Sequence, residues 1–216
     1  MKYPESIRPA GERSSWKKDL LISIGILASG CILGLFSKYL DHFQADLPPF
    51  LARLDRAADL HNYLGAFAPW LFLAFFIAVY ARSPLRAALN VFLFFAGMVV
   101  CYYLFSKYVA GFFPGSYAMI WAGLTVISPL PAVLCWYARG RGPVSLVLSA
   151  GILGAFLDMS FDYGMFYLSL RSLISLAVLI PVILILRKPS YKENLIMAGL
   201  AILLAILIRS VFPFGL

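Results

Sequence analysis

Long apolar segments separated by short polar ones run through the whole sequence. Seven of them are long or apolar enough to cross a bilayer, which takes about 20 residues of helix. They cover residues 20–40, 64–80, 87–105, 117–137, 144–157, 165–186 and 195–212. Lipid offers the backbone no hydrogen-bond partner, so each segment is expected to be helical. The pattern predicts an all-α integral membrane protein with about seven transmembrane helices, or six if residues 144–157 do not cross.

The polar segments set the organisation of the chain. A basic N-terminal segment, residues 1–19, precedes a single polytopic membrane domain, residues 20–213, whose first outer loop covers residues 41–63. In that loop apolar residues such as Phe50 and Leu54 recur at helical spacing, with charged residues between them. This spacing predicts a short amphipathic helix on the outer membrane surface.

The segment at 144–157 is short and continues into two carboxylates, Asp158 and Asp162. If the helix continues, both carboxylates lie on one face, four residues apart. The alternative is a re-entrant segment that ends early. Two prolines in the fourth span, Pro129 and Pro131, predict a kink there, because proline removes a backbone donor from the helix.

Two sequence patterns bear on how the helices pack. The pentapeptide Leu-Phe-Ser-Lys-Tyr occurs at 35–39 and again at 104–108, at the outer end of an outward-running span each time. This echo is either a repeat of a helical hairpin, as in many transporters, or a chance match between apolar helices. Gly30 and Gly34 form a small-xxx-small pattern that permits close helix approach, within the chain or to a partner membrane protein.

Composition and charge fix the class and the orientation. The chain is 62% hydrophobic and 13% charged, against about 25% charged in soluble domains, so it has no room for a soluble domain. Alternating connections place twelve basic and four acidic residues on one side, and six of each on the other. Basic loops stay cytoplasmic, which predicts a cytoplasmic N-terminus in a multi-pass protein of the bacterial inner (plasma) membrane. The net charge of +8 is thereby topological, and we expect no nucleic-acid partner.

Tryptophan positions agree with this orientation. Trp16 and Trp136 fall at the predicted inner boundary, and Trp70 and Trp121 fall near the outer one. Tryptophan side chains are enriched at both membrane–water interfaces. We therefore expect all four to lie in interfacial belts.

Charged and polar residues at the outer ends of the spans form the candidate substrate-binding site, which we call the outer vestibule. It comprises Lys38, Asp41, His42, Lys107, Asp158, Asp162, Arg171 and Arg209. Charges inside spans are costly unless they pair or line a watery cavity, so these residues are expected to face one another, with Arg171 paired to Asp158 or Asp162. The alternative for Lys38, Lys107 and Arg209 is that they extend to the lipid headgroups.

Catalytic and metal-binding signatures are mostly absent from the sequence. It has no HExxH, Gly-x-Ser-x-Gly or P-loop motif, its three cysteines lack CxxC spacing, and we expect no metal and no cofactor. His42 and His61 flank the amphipathic stretch among carboxylates. They are interpreted either as an acid–base pair or metal site, or as solvated loop histidines.

These observations favour a carrier, or a substrate-binding membrane subunit, for a small or lipid-related solute met from the extracytoplasmic side. In size, helix count and the small-residue face of its first helix, the chain resembles the substrate-capture components of vitamin importers. One alternative is an enzyme or enzyme accessory acting on lipid-linked precursors at the outer membrane–water boundary. Another is a non-catalytic protein that contacts a membrane partner through Gly30 and Gly34. Besides lipid, the expected partners are that solute or that membrane protein.

Overall fold

The computed structural model describes residues 6–12, 15–164 and 166–211, and helices dominate it. The predicted span limits at Met165 and Phe212, and Lys2 and Arg13 of the basic segment, lie outside these ranges. The helices are α1 (Trp16–His42), α2 (Pro49–Ala58), α3 (Leu60–Gly65), α4 (Ala68–Tyr80), α5 (Pro84–Tyr108), α6 (Gly115–Ile127), α7 (Pro129–Ala138), α8 (Gly142–Ser160), α9 (Leu173–Leu186) and α10 (Tyr191–Val211). A 3₁₀ turn covers Gln44–Asp46, and two short strands, β1 (Phe161–Tyr163) and β2 (Leu168–Leu170), follow α8.

Four of the described helices, α1, α5, α8 and α10, are long and apolar enough to cross a membrane. The pair α6 and α7 is a fifth if it is taken as one bent span. The helices α4 and α9 are apolar but shorter, with 13 and 14 residues. A predominantly helical protein with several helices that could cross a membrane is therefore confirmed.

The bend between α6 and α7 measures 46° and lies at Ser128, directly before Pro129. The Ser128 hydroxyl donates to the carbonyl oxygen of Thr125 at 2.8 Å, which satisfies one acceptor at the break. Proline has no amide hydrogen to continue the ladder of hydrogen bonds. The kink predicted from Pro129 and Pro131 is confirmed at this position.

The chain divides into two compact units. The first contains residues up to Pro9, residues 67–73 and residues 134–216. In it α8 packs mainly along α10, so closely at Gly154 that a Cβ atom there would lie 2.8 Å from the carbonyl oxygen of Ala201. Further along, Asp158 of α8 bonds Arg209 of α10, so the two helices run in the same direction.

The second unit contains residues 10–66 and 74–133, and its main contact is α1 against α5. The backbone carbonyl of Phe94 occupies the space that a Gly30 side chain would need, and that of Met98 does the same at Gly34. The small-residue pattern thus serves close packing inside the chain. A partner membrane protein would have to contact a different face of α1.

The helices α1 and α5 are also parallel. Ser23 donates to Asn90 at 2.8 Å near their beginnings, and the Lys38 ammonium lies over the Tyr102 ring near their ends. The repeated pentapeptides therefore end side by side at the same end of this unit. Their lysines differ, because Lys38 is buried whereas Lys107 is exposed.

The region after α8 differs from the prediction of a span at 165–186. The strands β1 and β2 form an antiparallel hairpin in which Asp162 pairs with Ser169, and α9 begins at Leu173. The α8 helix ends at Ser160 because Phe161 is extended, with φ −123° and ψ 141°. Asp158 and Asp162 consequently do not share a helix face. The interpretation in which the helix continues through both carboxylates is therefore wrong.

The tryptophans of the predicted interfacial belts differ in how far they are buried within the chain. Trp16 is exposed, as an interfacial side chain should be, whereas Trp136 and Trp70 are buried. The Arg8 guanidinium lies 4.4 Å from the Trp136 ring and donates to the Trp136 carbonyl oxygen at 2.7 Å. Burial, with a smaller contribution from nearby Arg139, lowers the pKa of Arg8 to about 10. Trp136 is therefore a packing residue for the N-terminal segment.

Candidate functional site

In the first unit, the ends of α8 and α10 are built around a buried carboxylate. Asp158 has 0% of its surface exposed, and its Oδ1 accepts a hydrogen bond from Nε of Arg209 at 2.8 Å. The Tyr163 hydroxyl lies 3.0 Å from the same Oδ1 and 2.6 Å from the Ala205 carbonyl oxygen. Its single hydrogen serves these two acceptors. Charge pairing and hydrogen bonding together stabilise an ionised carboxylate in this apolar setting.

Helix geometry explains why these side chains meet. Asp158 lies in the last turn of α8 and Arg209 in the last turn of α10, and the two helices run in the same direction. Arg209 also donates to the carbonyl oxygens of Asp158 and Phe161, at 3.2 and 3.0 Å. These acceptors lie at the negative end of the α8 dipole, where a cation is favoured. Arg209 therefore closes the end of α8 as well as neutralising Asp158.

The second carboxylate oxygen of Asp158, Oδ2, differs from Oδ1 in its hydrogen bonding. Oδ2 is buried and has no hydrogen-bond partner among the described residues. Most buried polar atoms in proteins are hydrogen-bonded, and leaving one unpaired costs about 1–3 kcal/mol. Oδ2 is thus an acceptor to which a donor group could bind.

A second, exposed ion pair lies beside this carboxylate. Arg171 donates from Nε to Asp162 at 3.0 Å, and Nη1 of Arg209 lies 3.6 Å from the same oxygen. The predicted pairing of Arg171 with one of the two aspartates is present, with Asp162. Four of the predicted vestibule residues, Asp158, Asp162, Arg171 and Arg209, form this cluster in the first unit.

The other four predicted vestibule residues belong to the second unit. Lys38 is 5% exposed, and its ammonium lies 2.5 Å from Asp41. The same ammonium lies 5.3 Å from the centre of the Tyr102 ring and 5.1 Å from that of Phe112. A carboxylate and two aromatic faces therefore surround the charge, and the alternative in which Lys38 extends to the headgroups is not observed.

His42 and Lys107 are not part of that enclosure. The His42 ring packs against the rings of Phe43 and Phe105, with centroids 4.6 and 6.1 Å apart. Lys107 is exposed, and its ammonium lies 5.4 Å from the ring of Tyr108. For Lys107 the headgroup alternative stays a prediction.

The sequence did not single out an aspartate–histidine pair in the outer loop. Nδ1 of His61 lies 2.9 Å from both carboxylate oxygens of buried Asp55, and Nε2 lies 2.9 Å from Nε2 of Gln44. One protonation state satisfies these contacts: Nδ1 donates to Asp55 and Nε2 accepts from the Gln44 amide. Burial favours a raised pKa for Asp55, but hydrogen bonds from His61 outweigh it, so the pKa lies below its usual range.

This pair depends on a backbone feature that is invisible in the sequence. Asp59 has a φ of 50°, in the left-handed region, and it ends α2 and starts α3. The chain therefore turns sharply, and the backbone amide of His61 can donate to Asp55 at 2.9 Å. A continuous helix would have placed residues 55 and 61 nearly two turns apart. The solvated interpretation of His61 does not apply.

Lys188 is a second residue whose environment the sequence did not predict. The sequence pattern treats it as a cytoplasmic flank, but it is buried. Its ammonium donates to Ala138 O at 2.8 Å, Gly140 O at 3.3 Å and Ser145 Oγ at 2.6 Å. Burial lowers the pKa of Lys188, and the charge of Glu193 opposes that shift. All three acceptors are neutral. Because Ala138 ends α7 and Ser145 lies at the start of α8, the ammonium of Lys188 ties these two helix ends together.

Neither a metal centre nor a known relative guides the assignment further. The described ranges contain no group of three or more His, Cys, Asp or Glu side chains placed to hold a metal ion. Compared with known protein families, curated proteins and solved structures, the chain matches none. The likeness in size and helix count to substrate-capture components of vitamin importers gains no support from these comparisons.

Proposed function

We propose that this protein is a membrane carrier, or the substrate-binding membrane subunit of one, for a small or lipid-related solute met from the extracytoplasmic side. The observation that carries this proposal is the unpaired, fully buried Oδ2 of Asp158 beside the exposed Arg171–Asp162 pair. A buried acceptor next to an accessible polar group suits stepwise entry of a polar solute. The solute would first meet the exposed pair and then donate to Oδ2.

The chemistry of the cluster narrows the solute. Two cations, Arg171 and Arg209, accompany two carboxylates, Asp158 and Asp162, so the cluster is formally neutral. A neutral or zwitterionic solute with a hydroxyl, amide or ammonium donor fits it better than an anion or a multivalent cation. The neighbouring Phe166 is 92% exposed, which supports a solute with an apolar part.

The proposal includes seven crossings, with the N-terminus cytoplasmic and the C-terminus outside, in the bacterial inner membrane. The parallel pairs α1 with α5, and α8 with α10, support this topology. Each pair is separated in the chain by one apolar helix, α4 or α9, that would return across the membrane. If successive helices cross the membrane in opposite directions, two helices separated by one crossing must run in the same direction. The bent pair α6–α7 supplies the remaining span.

Mass spectrometry of the purified protein tests the proposed function. We expect the wild-type protein to retain a small solute, and Asp158→Asn to lose it, because the substitution replaces the carboxylate that carries the unpaired acceptor. Asp162→Asn is the matched control from the exposed pair and should retain more of the solute. Equal retention by wild type and a folded Asp158→Asn variant would contradict the proposal.

An outer-surface enzyme is the second candidate, and the Asp55–His61 pair favours it. A carboxylate that holds Nδ1 orients the ring so that Nε2 would act as a general base once a substrate displaces the Gln44 amide from it. The test is turnover of an isotopically labelled lipid-linked precursor by protein in liposomes. Loss of turnover in His61→Gln, with retention in His42→Gln, would establish the enzyme. Absence of turnover by the wild type would remove this candidate for that substrate class.

A further inference from the structure

An open cleft lies in the second unit at the end where α1 and α5 begin, away from the clusters described above. Its volume is about 260 Å³, smaller than the roughly 300–1,000 Å³ of typical small-molecule pockets. It therefore suits part of a long molecule better than a whole compact ligand. The charge distribution predicts that this end of the protein faces the cytoplasm.

The walls of the cleft are apolar and open to the side. Ile22 and Ile26 of α1 face Phe76 and Ile77 of α4 across it. Ile22 is 42% exposed and Phe76 is 46% exposed. In a bilayer, side chains at this depth meet lipid, so a flexible acyl chain is the natural occupant of a groove of this kind.

The mouth of the cleft is basic. Arg86 pairs with Asp19 at 2.9 Å, whereas Arg82 is exposed and has no ion pair among the described residues. The Arg82 backbone is held in place, because its carbonyl oxygen accepts from the Gly11 amide at 2.8 Å. An exposed guanidinium without an ion pair in the described part of the chain is suited to a phosphate.

At the inner end of the cleft, a polar side chain already has a hydrogen-bond partner within the chain. Asn90 lines it, and its side-chain oxygen already accepts from Ser23 at 2.8 Å. The charged side chains of the lining, Asp19, Arg82 and Arg86, lie at the mouth, and the isoleucine and phenylalanine side chains beyond them offer apolar contact. A molecule that is charged at one end and apolar along its length matches this division.

We propose that this cleft binds an anionic phospholipid of the adjoining leaflet, with its phosphate beside Arg82 and an acyl chain along Ile22, Ile26 and Phe76. An anionic headgroup is preferred because Arg82 repels the ammonium of a zwitterionic lipid. Juxtamembrane basic residues attract anionic lipid with about 1 kcal/mol each. The inference is independent of the proposed solute, which is assigned to the first unit.

The test uses the full-length protein and native mass spectrometry. Protein is exchanged into nanodiscs of equal parts phosphatidylglycerol and phosphatidylcholine, and retained lipids are counted after mild release. We expect phosphatidylglycerol to be retained preferentially by the wild type and by Lys192→Gln, an exposed basic control on α10. Arg82→Gln should reduce its retention about five-fold, which corresponds to about 1 kcal/mol.

Two further measurements distinguish binding of a whole lipid from binding of phosphate alone, and loss of the lipid site from loss of the fold. Inorganic phosphate at millimolar concentration should not displace the lipid, because it makes no contact with the apolar walls. Ile26→Trp should fill the cleft and reduce retention even if Arg82→Gln fails to fold. Equal retention of both lipids by the wild type, unchanged retention in a folded Arg82→Gln variant, or displacement by phosphate would each overturn the proposal.

Discussion

Arg209 and Asp158 are 51 residues apart in the sequence, yet their side chains form a 2.8 Å hydrogen-bonded ion pair. The pair joins the ends of two parallel helices, α8 and α10, and holds a fully buried carboxylate there. It is therefore both a structural tie and the base of the proposed solute site.

Arg209→Gln should destabilise the protein by about 3–5 kcal/mol, because it leaves the buried charge of Asp158 uncompensated. Arg171→Gln breaks the neighbouring exposed pair and should cost less than about 1 kcal/mol. Denaturant unfolding in detergent, followed by tryptophan fluorescence, measures both. Equal effects of the two substitutions would show that the Asp158 pair does not carry this stability.

The contact of α1 with α5 predicts a strong dependence on glycine. Gly30→Ala should destabilise the protein by about 1–3 kcal/mol, because the added methyl group overlaps the Phe94 carbonyl. Gly25→Ala is the matched control: it lies on the same helix with open space around it, and alanine favours helix by up to about 1 kcal/mol. Thermal unfolding compares the two. A Gly30→Ala variant as stable as Gly25→Ala would contradict the close packing.

Lys188→Met should destabilise the protein by about 1–3 kcal/mol, since it removes three hydrogen bonds, although the Ala138 oxygen keeps the Ser145 and Ser149 hydroxyls as donors. Arg187→Gln, at the exposed neighbouring position, should have little effect. Unfolding of each variant in the same detergent gives the comparison. If both changes proved neutral, the buried ammonium would not tie α7 to α8.

The outer loop should lose stability in acid. The pKa of Asp55 is lowered in the folded protein, so its contribution is present above the unfolded pKa, about 3.9, and is lost as pH falls through the lower folded value. The protection of the α2 and α3 amides from exchange, relative to an unfolded chain at the same pH, should therefore fall below about pH 4. Asp55→Asn should remove most of this dependence, and Asp59→Asn, at an exposed carboxylate, should not. A pH profile in Asp55→Asn identical to wild type would refute the assignment.

Cysteine labelling tests the orientation. In a variant whose three native cysteines are replaced by serine, Asp46→Cys should react with a membrane-impermeant maleimide in intact cells. Lys192→Cys should react only after permeabilisation. The reversed pattern would invert the proposed topology, and labelling of both positions in intact cells would mean that an even number of crossings separates them.

Much of the architecture was predictable because it depends on local sequence. Apolar length identified the helices α1, α5, α8 and α10, and Pro129 marked the bend after Ser128. Gly30 and Gly34 marked a close helix contact without revealing that its partner is α5. The prediction failed after Ser160, where a hairpin replaces the start of the expected span. Phe161 is apolar in either conformation, so hydropathy could not distinguish a strand from a helix there.

What the sequence by itself determined is the class of protein and the ends of its helices at which charge collects, since hydropathy and the position of Lys and Arg are local properties. Only the tertiary structure decided the partners. Arg209 meets Asp158 because α8 and α10 are parallel neighbours, and His61 meets Asp55 because Asp59 turns the chain. The unpaired oxygen of Asp158, on which the proposed function rests, also arises from packing, because burial depends on which helices surround a residue.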